Sequence, residues 1–114
     1  MKEDCIFCKI LQGKIPSQII FKDEKITVFK DVNPVAPIHY LIVPNQHIDS
    51  LNDVTIGDEF SLGHIFTIAR QLADKEGIKD GYRLVMNTGV DAGQTVMHLH
   101  MHFLGGKHLA AKFA

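Results

Sequence analysis

Three histidines alternate with apolar residues along the segment His98-Leu99-His100-Met101-His102. Alternate residues of a β-strand point to the same face of a sheet, so a strand here would place the three imidazoles together, opposite Leu99 and Met101. A neutral imidazole near physiological pH acts as a nucleophile, exchanges protons or ligates a metal ion. The pattern therefore predicts a chemically active face, which is either a catalytic site or a zinc or copper site. The alternative is a solvated strand face, although such a face would normally include Lys, Glu, Thr or Ser.

A loop of small and polar residues, Asn87–Thr95, directly precedes this segment. Its backbone N–H groups and neutral side-chain donors suit the oxygens of a phosphate. A metal site does not need such a loop, although a plain glycine turn between two strands would explain it without any ligand. Together with the histidines, the loop favours phosphate chemistry over metal ligation.

The two cysteines, Cys5 and Cys8, have the spacing of zinc ligands. Two cysteines make only half of a structural zinc site, so two further ligands are needed, and histidine is the obvious source. The alternative is a pair of buried free thiols, because disulfides are rare in reducing compartments. A redox role is less favoured, since no strand–helix context of the thioredoxin kind surrounds the pair.

Length and composition restrict the class of protein. The chain has 114 residues, a formal net charge of −1 and 12 scattered Lys and Arg residues, which argues against a nucleic-acid partner. No window approaches the ~18 apolar residues of a membrane span, and the N-terminus does not resemble a secretory signal. We therefore expect a cytoplasmic protein with a single domain, residues 1–114, that binds neither nucleic acid nor a membrane.

Periodicity predicts an α+β fold in which a five-stranded antiparallel sheet packs against one long helix. A short N-terminal helix is expected at Cys5–Leu11, and the long helix at Asp58–Glu76, with Asp58 as N-cap and Gly77 as the stop. The predicted apolar face of the long helix consists of Leu62, Ile65, Phe66, Ala69, Leu72 and Ala73. The predicted strands are Gln18–Phe21, Ile26–Lys30, His39–Val43, Tyr82–Asn87 and Met97–Leu104.

The segment from Gly93 to Gly106 closely resembles the His-x-His-x-His signature of the histidine triad (HIT) superfamily. The trailing Gly105-Gly106 resembles the end of this signature in the Hint branch of the superfamily. The resemblance covers nearly the whole chain, including the segments 6–10, 15–17, 29–32, 36–40, 43–44 and 81–87. It implies a homodimer in which the sheet extends across the interface. The long helix and the Tyr82–Asn87 strand of each copy would meet their symmetry mates there.

The resemblance also implies an activity, the hydrolysis of adenosine or other purine nucleoside 5′-phosphoramidates to AMP and an amine. The reaction would pass through a covalent nucleotidyl-histidine intermediate and would require no cofactor. A dinucleoside polyphosphate hydrolase is the nearest enzymatic alternative. The others are a non-catalytic nucleotide- or zinc-binding protein and a metal-dependent hydrolase that uses the triad as ligands.

Catalytic roles follow from the resemblance at five positions: His98, His100, His102, His39 and Thr95. His100 is implied as the nucleophile and His39 as a residue that orients the site. His102 would donate hydrogen bonds to the phosphate oxygens and, with Thr95, supply or relay a proton to the leaving amine. Most Hint-like proteins have serine where this chain has Thr95, which retains the hydroxyl but adds a methyl group.

The implied nucleotide contacts divide into three groups. Asp31 would accept hydrogen bonds from the ribose hydroxyls. An apolar slot for the base would be formed by Ile6, Phe7, Phe29 and Val32. The α-phosphate would be bound by Asn87, Gly93, Gln94, Thr95, His100 and His102.

A structural zinc site is implied by the similarity to some bacterial HIT proteins. Its ligands would be Cys5, Cys8, His47 and His98. This set does not include His100, so a structural zinc ion and a histidine nucleophile are compatible in one chain.

Overall fold

A five-stranded antiparallel sheet, in the order β1-β2-β3-β5-β4, forms the centre of the computed structural model, which describes residues 2–113. The strands are β1 (Ile19–Lys22), β2 (Ile26–Lys30), β3 (Ile38–Pro44), β4 (Tyr82–Val85) and β5 (Met101–Gly105). The helices are α1 (Ile6–Leu11) and α2 (Glu59–Glu76), and short 3₁₀ turns occur at Leu51–Asp53, Ile56–Asp58 and Val90–Ala92. The predicted α+β fold class is confirmed.

One face of the sheet packs against α2 and forms the larger apolar core. Alternate residues of β2, β3 and β5 point to this side, as the period of two requires. They are Ile26, Val28, Tyr40, Ile42, Met101 and Phe103. The facing residues of α2 are Ile65, Ile68, Ala69, Leu72 and Ala73. This core fixes the central strands, and therefore also the side chains on their opposite face.

The opposite face of the sheet packs against α1. There Phe29, Leu41 and Val43 contact Phe7 and the two cysteines. Because α1 has only six residues, it is too short to be stable on its own and depends on these contacts. Its first turn is capped by Cys5, whose Sγ accepts a hydrogen bond from the N–H of Cys8 at 3.3 Å.

The long helix differs from the prediction at two residues. Phe66 is 57% exposed, and Ile68 takes the buried position instead. Asp58 does occupy the predicted N-cap position of α2, but it makes no side-chain cap bond, because its carboxylate accepts the N–H of Thr55 in the preceding turn. The helix does end at Gly77, which adopts φ of 72°. Within residues 2–113, no helix is both long enough and apolar enough to cross a bilayer.

The predicted last strand, Met97–Leu104, begins four residues too early. The structure starts β5 at Met101, so His98 and His100 precede the strand and only His102 lies on it. The N–H of Leu99 donates to the carbonyl of Ile48 at 2.7 Å, which draws this segment away from the sheet. The strand predicted to Asn87 likewise ends at Val85, whose partner is His102. In this register Asn87 would pair with His100, which precedes β5 and is not part of the sheet.

Gly106 provides a test of the turn that follows β5. Its φ is +88°, and a Cβ added there would lie 3.0 Å from the Cβ of Pro37. Gly106→Ala should therefore lower the free energy of unfolding by about 1–3 kcal/mol, measured by urea denaturation. Gly81→Ala is the matched control, since nothing lies within 4 Å of the added atom. Equal losses in the two variants would refute the explanation.

Candidate active site

A pocket of about 280 Å³ opens between α1, the end of β2 and the histidine segment. It brings together eight of the predicted site residues: Ile6, Phe7, Phe29, Asp31, Val32, Thr95, His100 and His102. Phe7 forms its wall, with its ring edge-on to Phe29 at 5.2 Å and to His100 at 5.1 Å between centroids. One end of the pocket is therefore apolar, whereas the other carries imidazoles.

His100 presents one defined ring nitrogen to the pocket. Its Nδ1 lies 2.7 Å from the carbonyl oxygen of His98, and a carbonyl only accepts, so Nδ1 must carry the proton. The lone pair is therefore on Nε2. Burial lowers the pKa of His100, which keeps the ring neutral. A neutral imidazole with a free Nε2 is the form that attacks an electrophile.

A chain of hydrogen bonds fixes the tautomer of His102. The N–H of Val35 donates to Nδ1 of His39 at 3.1 Å, which leaves the proton of His39 on Nε2. That proton is directed to Nδ1 of His102 at 2.9 Å and to the Asp31 carboxylate at 3.3 Å. The proton of His102 must then be on Nε2, where it can be donated to a ligand in the pocket.

Both histidines in this series of hydrogen bonds, His39 and His102, are neutral. Burial lowers the pKa of His102 to about 4, helped by its neighbours His100 and His39. Burial also lowers the pKa of His39, although the nearby Asp31 opposes the change. His102 is therefore a neutral hydrogen-bond donor at the pocket and not a positive charge.

Asp31, His39 and His102 bring their ligand atoms close enough together to suggest a second metal site. The hydrogen bond from Val35 argues against it, because it keeps a proton on the Nε2 that faces the other two groups. The two potential ligand groups in residues 2–113 contain His98 and His102 separately, and neither contains His100. The triad is thus not arranged to share one ion.

The loop that precedes the histidines is held from inside by Gln94. This side chain is only 3% exposed, donates to the carbonyls of Asp49 and Val96, and accepts the N–H of Gly89. It does not line the pocket, and neither do Asn87 and Gly93, which were also predicted to bind phosphate. Gln94 shapes the loop, and Thr95 is the loop residue that reaches the pocket.

Cys5, Cys8, His47 and His98 form a cluster whose ligand atoms all lie within 4.8 Å of one another. Nδ1 of His98 is 3.4 Å from Sγ of Cys5, and Nδ1 of His47 is 3.3 Å from Sγ of Cys8. The structure therefore assembles the four residues that the sequence predicted for a zinc site.

The chemistry of this cluster fits zinc. Two thiolates and two imidazoles are a common tetrahedral donor set. Each imidazole donates its other N–H to an oxygen, His98 to the carbonyl of Pro44 at 2.9 Å and His47 to the carboxylate of Asp49, so both Nδ1 lone pairs face the sulfurs. Burial raises the pKa of Cys5, and a bound cation would offset this effect.

Several pocket residues were not identified from the sequence. They are Ile10, Ile15, Pro16, Ser17, Lys30, Asn33, Leu41 and Val96. Ile10 was within reach of sequence reasoning, because it follows Ile6 by one helical turn. Asp49, which orients His47, carried only the weak signal of lying two residues away.

Comparison with known proteins gives consistent similarities. The family model described as "Scavenger mRNA decapping enzyme C-term binding" matches residues 4–113. Purine nucleoside phosphoramidase from Escherichia coli K12 is 48% identical over 115 aligned residues, covering 100% of this chain and 97% of that protein. A HIT family hydrolase from Clostridium thermocellum has 43% identity and a TM-score of 0.96, with complete coverage of both chains. A histidine triad protein from Clostridium difficile has 42% identity and a TM-score of 0.95, with 99% of each chain covered.

Acid stability should report the neutral state of His102. Between pH 6.5 and about 4 the unfolded chain takes up a proton at this residue and the folded chain does not. The free energy of unfolding should therefore fall as the pH falls through this range. His102→Gln removes the contribution, so urea titrations should show a shallower loss. The exposed His108, changed to Gln, should leave the slope unchanged, and parallel curves for all three proteins would contradict the assignment.

Proposed function

Because this chain belongs to the histidine triad family, we propose that it hydrolyses purine nucleoside 5′-phosphoramidates to a nucleoside monophosphate and an amine. The observation that carries the proposal is the buried, neutral His100, whose Nε2 lone pair faces a pocket with an apolar slot at its other end. The named activity of the Escherichia coli relative supports the same substrate class.

The reaction divides into two displacements at phosphorus. In the first, Nε2 of His100 forms a bond to the α-phosphorus and the P–N bond to the amine breaks. In the second, water attacks the same phosphorus, the P–Nε2 bond breaks, and the nucleoside monophosphate is released. The hydrogen bond from Nδ1 to the His98 carbonyl stabilises the positive charge that the ring gains while it carries the nucleotidyl group.

The leaving amine must gain a proton before it departs. His102 presents Nε2–H to the pocket, but loss of this proton would leave an anion, and a proton passed on from Nε2 of His39 would only move the negative charge to that ring, whose Nδ1 already accepts the N–H of Val35. We therefore assign His102 to hydrogen bonding with the phosphoryl oxygens. Thr95 also lines the pocket, and its hydroxyl can give its proton to the amine while it accepts one from solvent water. The proton lost by the water that attacks in the second displacement returns to solvent and restores the balance.

The nucleoside half of the substrate fits the remainder of the pocket. The base would lie between the side chains of α1 and Phe29, where burial of its faces is favourable. Asp31 already accepts the N–H of Asn33 at 2.8 Å, which holds its carboxylate at the pocket edge for the ribose hydroxyls.

We also propose that Cys5, Cys8, His47 and His98 hold a structural zinc ion. The ion would join α1 to the segments that carry the two histidines and would supply no chemistry to the reaction. Support comes from the donor set and from the oxygen acceptors that orient both imidazoles.

A homodimer is the proposed assembly. In the described chain β4 pairs only with β5, so its outer edge is available for strand pairing with a second copy. The exposed Phe66 on α2 is an apolar side chain that such an interface would cover.

Replacement of the nucleophile tests the proposed reaction. His100→Gln should reduce kcat for a fluorogenic adenosine 5′-phosphoramidate by at least ~1,000-fold, because no group remains to form the covalent intermediate. Affinity for AMP should change much less. His64→Gln is a matched control, since His64 lies on α2 and pairs with Asp23. Unchanged turnover in the His100 variant, or no turnover in the unmodified protein, would disprove the proposal.

Removal of a cysteine tests the metal site. The purified protein should contain about one zinc per chain, and Cys8→Ser should lose most of it, because a structural site needs all four ligands. The variant should also unfold at a lower temperature than the unmodified protein. Elemental analysis and thermal denaturation measure the two effects. A zinc-free protein that has the same stability before and after addition of zinc would show that the cysteines are free thiols.

A further inference from the structure

We propose that His98 is a positioning residue that couples the cysteine–histidine centre to the nucleotide pocket, so that zinc and a nucleoside monophosphate each strengthen the binding of the other. The inference rests on the proposed function, because it needs both the structural metal and the nucleotide. It gives the centre a role beyond holding the fold together.

Two parts of His98 belong to different sites. Its ring is fully buried, and Nδ1 points to the two sulfurs at 3.4 and 3.6 Å. Its carbonyl oxygen accepts the Nδ1 proton of His100 at 2.7 Å, the bond that fixes which nitrogen of His100 faces the pocket. A displacement of the His98 main chain that took the ring away from the sulfurs would also move this carbonyl, and the His100 ring bonded to it.

The sheet does not hold this segment in place. The chain enters β5 only at Met101, so the main chain of His98 and His100 has no partner strand. Leu99 makes one backbone bond, to Ile48, and the ring of His98 makes one, to Pro44. The contact of the His98 ring with the two sulfurs is therefore one of the few interactions that fix the conformation of the segment before β5.

A second contact passes through α1. Phe7 lies between the two cysteines in sequence, and its ring packs edge-on to His98 at 5.9 Å and His100 at 5.1 Å. A helix of six residues has little stability of its own, so cysteines bound to an ion would fix the slot that Phe7 and Ile6 form.

Coupling of this kind is reciprocal. If zinc fixes the pocket before the nucleotide arrives, the nucleotide no longer bears that ordering cost. By thermodynamic linkage, AMP must then strengthen zinc binding by the same factor. A purely structural zinc, which holds parts of the protein that the nucleotide does not sense, predicts no such change.

The decisive measurement is the zinc affinity of the full-length protein, determined by competition with a chromophoric chelator, with and without saturating AMP. We expect AMP to lower the Kd for zinc by about five-fold or more, and zinc to lower the Kd for AMP by the same factor in calorimetry. The rate at which the chelator removes zinc should also fall when AMP is present. This rate is measured on the unmodified protein and needs no variant.

Variants separate the coupling from a general loss of stability. Cys8→Ser should weaken AMP binding to the level of the zinc-free protein and abolish its response to added zinc. Leu72→Ala destabilises the core on the other face of the sheet, and its AMP affinity and zinc response should be unchanged.

The outcomes distinguish this inference from the proposed function. If zinc and AMP both bind, but neither alters the affinity or the release rate of the other, the coupling is disproved and the proposed function stands. If AMP binds but zinc does not, the coupling and the structural metal are both disproved. If AMP does not bind, the proposed function is disproved as well.

Discussion

The hydrogen bond from Nδ1 of His100 to the carbonyl of His98 is the interaction on which the site depends. It decides the tautomer of His100, and therefore whether a lone pair or a proton faces the pocket. It forms only because the chain has left the sheet, since alternate residues of a regular strand do not bring a ring to the preceding carbonyl in this way. The irregular entry into β5 is thus a requirement of the site.

Burial also determines the charge of the histidines at the site. Burial lowers the pKa of His39, His100 and His102, and the nearby Asp31 carboxylate only partly opposes this effect, so the neutral form of each is favoured. A neutral imidazole can carry its proton on either nitrogen. Here each ring has a backbone or ring partner that determines which nitrogen carries it. Val35 sets His39, His39 sets His102, and His98 sets His100. The backbone therefore determines the chemistry of the side chains.

The sequence was sufficient for the order of the elements and for half of the residues that line the pocket. Period-two patterns located β2 and β3 to within two residues at either end, and the family signature identified His100 and His102, which do meet at the pocket. It did not reveal that His98 and His100 precede β5, because the alternation of histidine and apolar residues mimics a strand. It also misassigned the exposed Phe66, since helical periodicity alone does not separate Phe66 from Ile68. Gln94 resembled a ligand because its internal partners, Asp49 and Gly89, are recognisable only in three dimensions.

Asp49 shows why the support of the site is less tolerant than its apolar slot. Its carboxylate accepts the N–H of His47, and its carbonyl accepts the amide of Gln94, so the cysteine–histidine cluster and the loop of residues 87–95 meet at one residue. An apolar exchange in the slot changes buried area gradually, by about 25 cal/mol per Å². Replacement of Gln94, which is only 3% exposed, would instead leave the backbone groups that it satisfies without a partner, at a cost of about 1–3 kcal/mol. Substitutions among the apolar residues of the slot should therefore reduce stability less than substitutions among the hydrogen-bonded residues that support the histidines.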